Sequence, residues 1–247
     1  PDHLIRIFDT IPRPNVAAMI DAARHLADAK QYDYAAQLYH YLRKNWPQYR
    51  VTYLEEGMVW RALNEFERAS ECFLAAVTAY PLFSAEAVWR LSECYENMLE
   101  PRERVAKWME IVNEKLKSEY TYAHLSQALI DDGQPDAAIE VYRKALRRFP
   151  HSEHLNVKLG MLLMLKNRYR EAIPRLREVI LVNPERADVY IALVEAYIQV
   201  GDMKTACERI ADARAKASRF PRSCQIRQVY FESSGVQALA CSCRRVF

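Results

Sequence analysis

The sequence predicts an all-α solenoid of about six helix-turn-helix repeats, on three observations. Small residues return at a period of about 34: Ala35 to Ala69 is 34 residues, Ala69 to Ala138 is 69, and Ala172 and Ala206 follow at 34 each. The large residue four places later keeps the same register, as Tyr39, Phe73, Trp108, Tyr142, Leu176 and Ile210. A proline closes most units, at Pro12, Pro47, Pro81, Pro150, Pro184 and Pro221. Such a period marks stacked helical pairs, because one pair cannot bury its apolar face until a neighbour covers it.

In chain order, residues 1–15 read as the second helix of a truncated preceding repeat, with Leu4, Ile7 and Phe8 leading to Pro12. The array then runs over 16–221, in units of about 16–49, 50–83, 85–118, 119–152, 153–186 and 187–221. Asp132-Gly133 and Gly201-Asp202 punctuate turns between paired helices, and each closing proline stops a helix because it lacks an amide proton and clashes with the preceding turn. The third unit departs from the pattern. Arg104 stands at its alanine position, Pro101 precedes its second helix, Leu116 replaces the closing proline, and Phe73 to Trp108 is 35 residues. It reads as a longer repeat with an altered stacking angle, or as a hinge or docking site around Trp89, Trp108 and Met109. Residues 222–247 read as a capping helix and an irregular tail, broken at Ser233-Ser234-Gly235.

Hydrophobic residues make up 51% of the chain and charged ones 27%, enough apolar surface to fold and too much for a disordered tail. Five glycines are too few for the many tight turns of an all-β protein. No run approaches 18 apolar residues, and no charged segment followed by an apolar one opens the chain. Beginning at Pro1-Asp2-His3, the chain reads as a fragment or processed product. Cys72, Cys94 and Cys207 fall inside helical patterns as small buried hydrophobes, and Cys224, Cys241 and Cys243 complete no zinc spacing. That usage suits a reducing compartment, cytoplasmic or nuclear.

The clearest unit carries Tyr53, Glu56, Gly57 and Trp60 on one helix and Ala69, Phe73, Ala76 and Pro81 on the next. Tyr122, Leu125, Ser126, Leu129, Ala138, Tyr142, Ala145 and Pro150 repeat it. So do Asn156, Leu159, Gly160, Leu163, Ala172, Leu176, Val179 and Pro184, and Tyr190, Leu193, Val194, Tyr197, Ala206, Ile210 and Ala213. These eight recurring positions resemble the tetratricopeptide repeat family. The resemblance implies a right-handed superhelix whose first helices line an inner face that binds proteins.

Some co-chaperones of the family grip a heat-shock protein's C-terminal acid with a clamp of Lys and Asn. The matching positions here are Ile20 and Arg24, Leu54 and Met58, Trp89 and Glu93, Ala123 and Gln127, Val157 and Met161, and Ile191 and Glu195. The clamp is missing, so a chaperone tail is not the expected partner. The face instead offers a mixed groove for a helix or extended peptide: Leu54, Met58, Arg61, Trp89, Arg90, Glu93, Val157, Lys158, Met161, Met164 and Ile191.

Net charge is −4 over residues 1–100, −2 over 101–137 and +9 over 138–247. A basic patch is expected at Arg143, Lys144, Arg147, Arg148, Arg168, Arg170, Arg175 and Arg177, facing an acidic protein segment before nucleic acid. His151 and His154 lack a third metal ligand at useful spacing, and no H-E-x-x-H, G-x-S-x-G or glycine-rich phosphate loop occurs. The expected function is therefore a non-enzymatic protein-interaction scaffold, one segment of a larger subunit in a multiprotein complex, with no cofactor and no membrane. The alternatives are an accessory domain of an enzyme whose catalytic part lies elsewhere, and a transcription or RNA-processing scaffold that touches nucleic acid.

Overall fold

The computed structural model describes residues 15–80 and 85–219. The expectations for residues 1–14 and 222–247, and for Pro12, Pro81 and Pro221, lie outside the described residues. Twelve α-helices and no strand occur among the described residues. They fall into two compact units, Pro1–Asp132 and Gly133–Phe247. The division lies inside the sequence unit assigned to 119–152, in the turn between its two helices.

The first unit holds α1 (Val16–Asp28), α2 (Tyr32–Asn45), α3 (Val51–Ala62), α4 (Phe66–Ala79), α5 (Ala85–Met98), α6 (Pro101–Glu110) and α7 (Glu119–Asp131). From α1 to α5 each helix packs on the next, and α6 packs on α7. The second unit holds α8 (Pro135–Arg148), α9 (Glu153–Leu165), α10 (Tyr169–Val182), α11 (Ala187–Gln199) and α12 (Met203–Arg219), each packed on its successor. The α8 helix shows why such segments fold together: Ala138, Ile139, Tyr142, Ala145 and Leu146 recur at helical spacing and are buried, while the charged residues take the other side.

The alanine register is the core. Ala35, Ala69, Ala138, Ala172 and Ala206 are fully buried, and so are the large residues four places on. Glycines on two of the first helices make room for two of them. A Cβ added at Gly57 would stand 2.6 Å from the Phe73 ring, and one at Gly160 would stand 2.6 Å from Leu176. Both pairs are 16 residues apart, and in each a side chain at the glycine would occupy space the partner already fills.

The backbone repeats as well. Lys30, Asn64, Gly133, Asn167 and Gly201 all have positive φ, between 58° and 82°, in the turns joining paired helices. Their spacing of 34, 69, 34 and 34 is the alanine period again. One left-handed residue reverses the chain in each of these turns, and glycine or asparagine takes it at least cost.

The α5–α6 hairpin has no such residue at Leu99. There Glu100 is extended, Pro101 opens α6 as its first residue, and the Glu100 amide donates to Glu103 at 3.2 Å. The helix ends in a π-turn over Ile111–Lys115, closed by Leu116 N–H to Ile111 O at 2.8 Å, where other units have proline. Arg104, at the alanine position, is largely buried and pairs with Asp131 at 3.0 Å. Trp108 corrects one expectation: it is 1% exposed, stacked on His124 and edge-on to Tyr95, so it belongs to the core and not to a docking site. Cys207 corrects another, being disulfide-bonded.

Candidate functional site

The expected groove residues fall into one group in each unit. In the first, Leu54 is half-buried, Met58 is 40% exposed and Trp89 is 50% exposed. The polar members are engaged with one another. Arg61 reaches Glu93 at 3.0 Å, Arg90 reaches the same carboxylate at 3.5 Å, and the Arg90 guanidinium lies over the Trp89 ring at 4.7 Å. One helix earlier, Arg24 donates twice to Glu55, at 2.8 and 2.7 Å, and the Tyr39 hydroxyl donates to the other Glu55 oxygen. Arginines and glutamates on consecutive first helices thus tie neighbours together, leaving Met58 and Trp89 as the apolar surface between them.

In the second unit Val157, Met161, Met164 and Ile191 are half-buried and Lys158 is exposed. This group is less prominent than the first, since each apolar member is partly covered by its neighbours. Periodicity did not single out Leu165 and Leu181, 80% and 77% exposed at the ends of α9 and α10. They sit at helix ends, where the 34-residue pattern carries no core position.

The basic patch is partly neutralised. Arg143 pairs with Glu140 and Glu171, and Arg168 donates to Glu171 at 2.8 and 3.0 Å and approaches Asp136 at 3.9 Å. Lys166 also reaches Asp136, at 3.2 Å. The Arg168 hydrogen bonds hold the Glu171 carboxyl below its usual range. Lys144, Arg147, Arg148, Arg170 and Arg177 are exposed and Arg175 is half-buried. Sequence counting overstated the patch because it could not see which acids the packing of α8 and α10 would bring to which arginine.

One buried charge was not expected. Glu56 occupies the core position that holds Leu91, Leu125, Leu159 and Leu193 in later units, and it is 2% exposed. Arg43 Nε lies 3.1 Å from one of its oxygens and His40 Nδ1 lies 3.5 Å from the other. Burial raises the Glu56 pKa, and Arg43 and His40 oppose that rise. Nearby Cys72 is pushed up to about 12, first by burial, and Cys94 to about 11 by the same cause. Both thiols are buried and protonated, and neither is a nucleophile at neutral pH.

His151 Nδ1 lies 2.8 Å from Glu178, which gives that imidazole a carboxylate partner on α10. Among the described residues no group of three or more His, Cys, Asp or Glu side chains is placed to hold a metal ion. No described helix is long and apolar enough to cross a membrane.

Two family models described as tetratricopeptide repeat match the chain, one over residues 129–180 and 163–222 and the other over 86–152. Together they span more than half of it, and the chain belongs to the tetratricopeptide repeat family. No curated protein sequence matches it. Among solved structures, the MamA protein is similar at 20% identity and a TM-score of 0.53, covering 69% of this chain and 92% of its own. YrrB, described as a tetratricopeptide repeat protein with an unusual peptide-binding site, has 16% identity and a TM-score of 0.52, covering 78% and 99%. PilF of Pseudomonas aeruginosa has 14% identity and a TM-score of 0.52, covering 88% and 97%. At these identities the likeness is one of fold.

Proposed function

We propose that this chain is a protein-interaction scaffold, a tetratricopeptide repeat segment of a larger subunit in a multiprotein complex, which binds a helix or extended peptide on the faces of its first helices. The observation that carries the reading is the pair Met58 and Trp89, exposed on consecutive first helices of one unit beside the ion pairs of Arg61 and Arg90 with Glu93. Arginine and glutamate bonded to each other leave the apolar side chains as the groups with most to gain from a partner. Large apolar side chains in contact with water are where an interface gains most from desolvation. Membership of a family that typically serves protein interaction supports the same reading. An acidic character of the partner belongs to the proposal.

The test is Met58→Glu. Tagged wild-type and variant chains are compared for the proteins each retains, with thermal melts run in parallel. The variant is expected to keep its melting temperature and to lose the partner. Retention of the same proteins by both would move the binding site away from the first helices.

A further inference from the structure

The second unit contains a cleft of about 460 Å³ between α10, α11 and the start of α12, lined by Ile173, Arg177, Tyr197, Asp202, Thr205 and Arg209. Its volume is in the range of sites that hold a ligand group. Its lining is richer in hydrogen-bond donors than in acceptors. Arg177 is exposed and has neither ion pair nor hydrogen bond among the described residues. Arg209 spends one guanidinium nitrogen on Asp212 at 2.8 Å and keeps its other N–H groups. Tyr197 lines the cleft, and its hydroxyl has no hydrogen-bond partner among the described residues. One acidic group lines it as well: Asp202, one oxygen of which accepts the Thr205 amide at 3.1 Å and so caps α12.

A phenol hydroxyl at a cleft can donate to an anionic oxygen, and a guanidinium presents its donors as a fork matched to two oxygens. Two arginines and one phenol around a single cleft, set against one carboxylate, leave donors over for an anionic oxygen pair from outside. We propose that this cleft is a binding pocket for a carboxylate carried by an acidic segment of a protein partner. It is a second contact, outside the first-helix faces. It rests on the scaffold reading in taking the carboxylate to belong to a protein.

The experiment titrates the whole chain into fluorescein-labelled hexaglutamate peptide with an amidated end, followed by anisotropy at low and at physiological salt. Hexaglutamine peptides with free and with amidated ends run beside it, so that a side-chain acid and a chain terminus are told apart. Wild type is expected to bind a carboxylate-bearing peptide and to leave the amidated hexaglutamine unbound. Arg177→Gln and Arg209→Gln should each weaken binding about tenfold, the loss of a charge-assisted hydrogen bond. Tyr197→Phe, which keeps the buried ring and the fold, should weaken it about threefold. Lys144→Gln, on α8, should change it less than about twofold, as for a solvated charge.

Equal losses in Arg177→Gln and Lys144→Gln would reduce the effect to diffuse charge and overturn the pocket. Undiminished binding by Arg177→Gln, or none by wild type, would do the same. Met58→Glu and Met161→Glu separate this inference from the scaffold reading, because both should bind hexaglutamate normally. Loss in those variants alone would sink the pocket and leave the scaffold standing.

Discussion

Glu56 in the first unit and Glu171 in the second both face arginines, and their carboxyls move in opposite directions. Glu56 lies in the core with Arg43 and His40 beside it, and its pKa is raised because burial outweighs those partners. Glu171 lies on the surface between Arg168 and Arg143, and its pKa is lowered because its hydrogen bonds favour the charged form at little desolvation cost. The same chemical pair is thus a liability inside a repeat and a mild asset outside one. Contact with an arginine does not by itself say whether a carboxylate stabilises this fold.

The largest expected effect tests where the two units are alike. Ala69 and Ala172 are fully buried at matching positions, so Ala69→Arg and Ala172→Arg should each cost about 4 kcal/mol or more, because a long charged side chain must enter a closed contact. Circular dichroism melts should show the unit carrying the substitution unfolded or nearly so. An unchanged melting temperature in either variant would mean that the alanine register does not mark the core.

The next effect concerns Glu56 itself. Glu56→Leu puts there the residue found at the equivalent positions 91, 125, 159 and 193, and should stabilise the chain by about 1–3 kcal/mol at neutral pH, as happens when a buried ion pair is replaced by packed apolar atoms. Arg43 can tolerate the loss, because it is partly exposed and lies over the Tyr53 ring at 5.4 Å. Destabilisation in urea would show instead that the pair with Arg43 holds α2 against α3.

Much of this fold was legible in the sequence because its information is periodic. Alanine, large residue and proline recur at fixed spacing, and the helices, their buried faces and the Gly57–Phe73 and Gly160–Leu176 contacts follow from that spacing. What was not legible lay in departures whose outcome depends on packing in space. Arg104 at an alanine position could have broken α6, but Asp131 was within reach. Trp108 could have been a docking side chain, but Tyr95 and His124 close over it. Pro174, inside α10, is tolerated on an exposed part of the helix, where the carbonyl it leaves without a helical donor is open to water. The candidate site was legible only in part: the apolar members of the groove stand on helical spacing, whereas the pairing of Arg61, Arg90, Arg143 and Arg168 is a matter of which acids come near.

The smallest expected effect sharpens the comparison most, because it tests a sign. A carboxyl whose folded pKa is raised contributes stability that is complete below the unfolded pKa and is lost as pH rises through the folded value. A carboxyl whose folded pKa is lowered contributes stability that is present above the unfolded pKa and is lost as pH falls through the folded value. Glu56→Gln should therefore match wild type at acid pH and gain on it as pH rises past the ordinary carboxylate range. Glu171→Gln should run the other way, equal to wild type at acid pH and weaker near neutrality. The Glu171 difference should stay below about 1 kcal/mol, because the pair is exposed and screened, and should shrink further with salt. Urea titrations of wild type and both variants across that pH range measure the two slopes directly. Slopes of the same sign would break the contrast, since burial would then not be what separates the two glutamates.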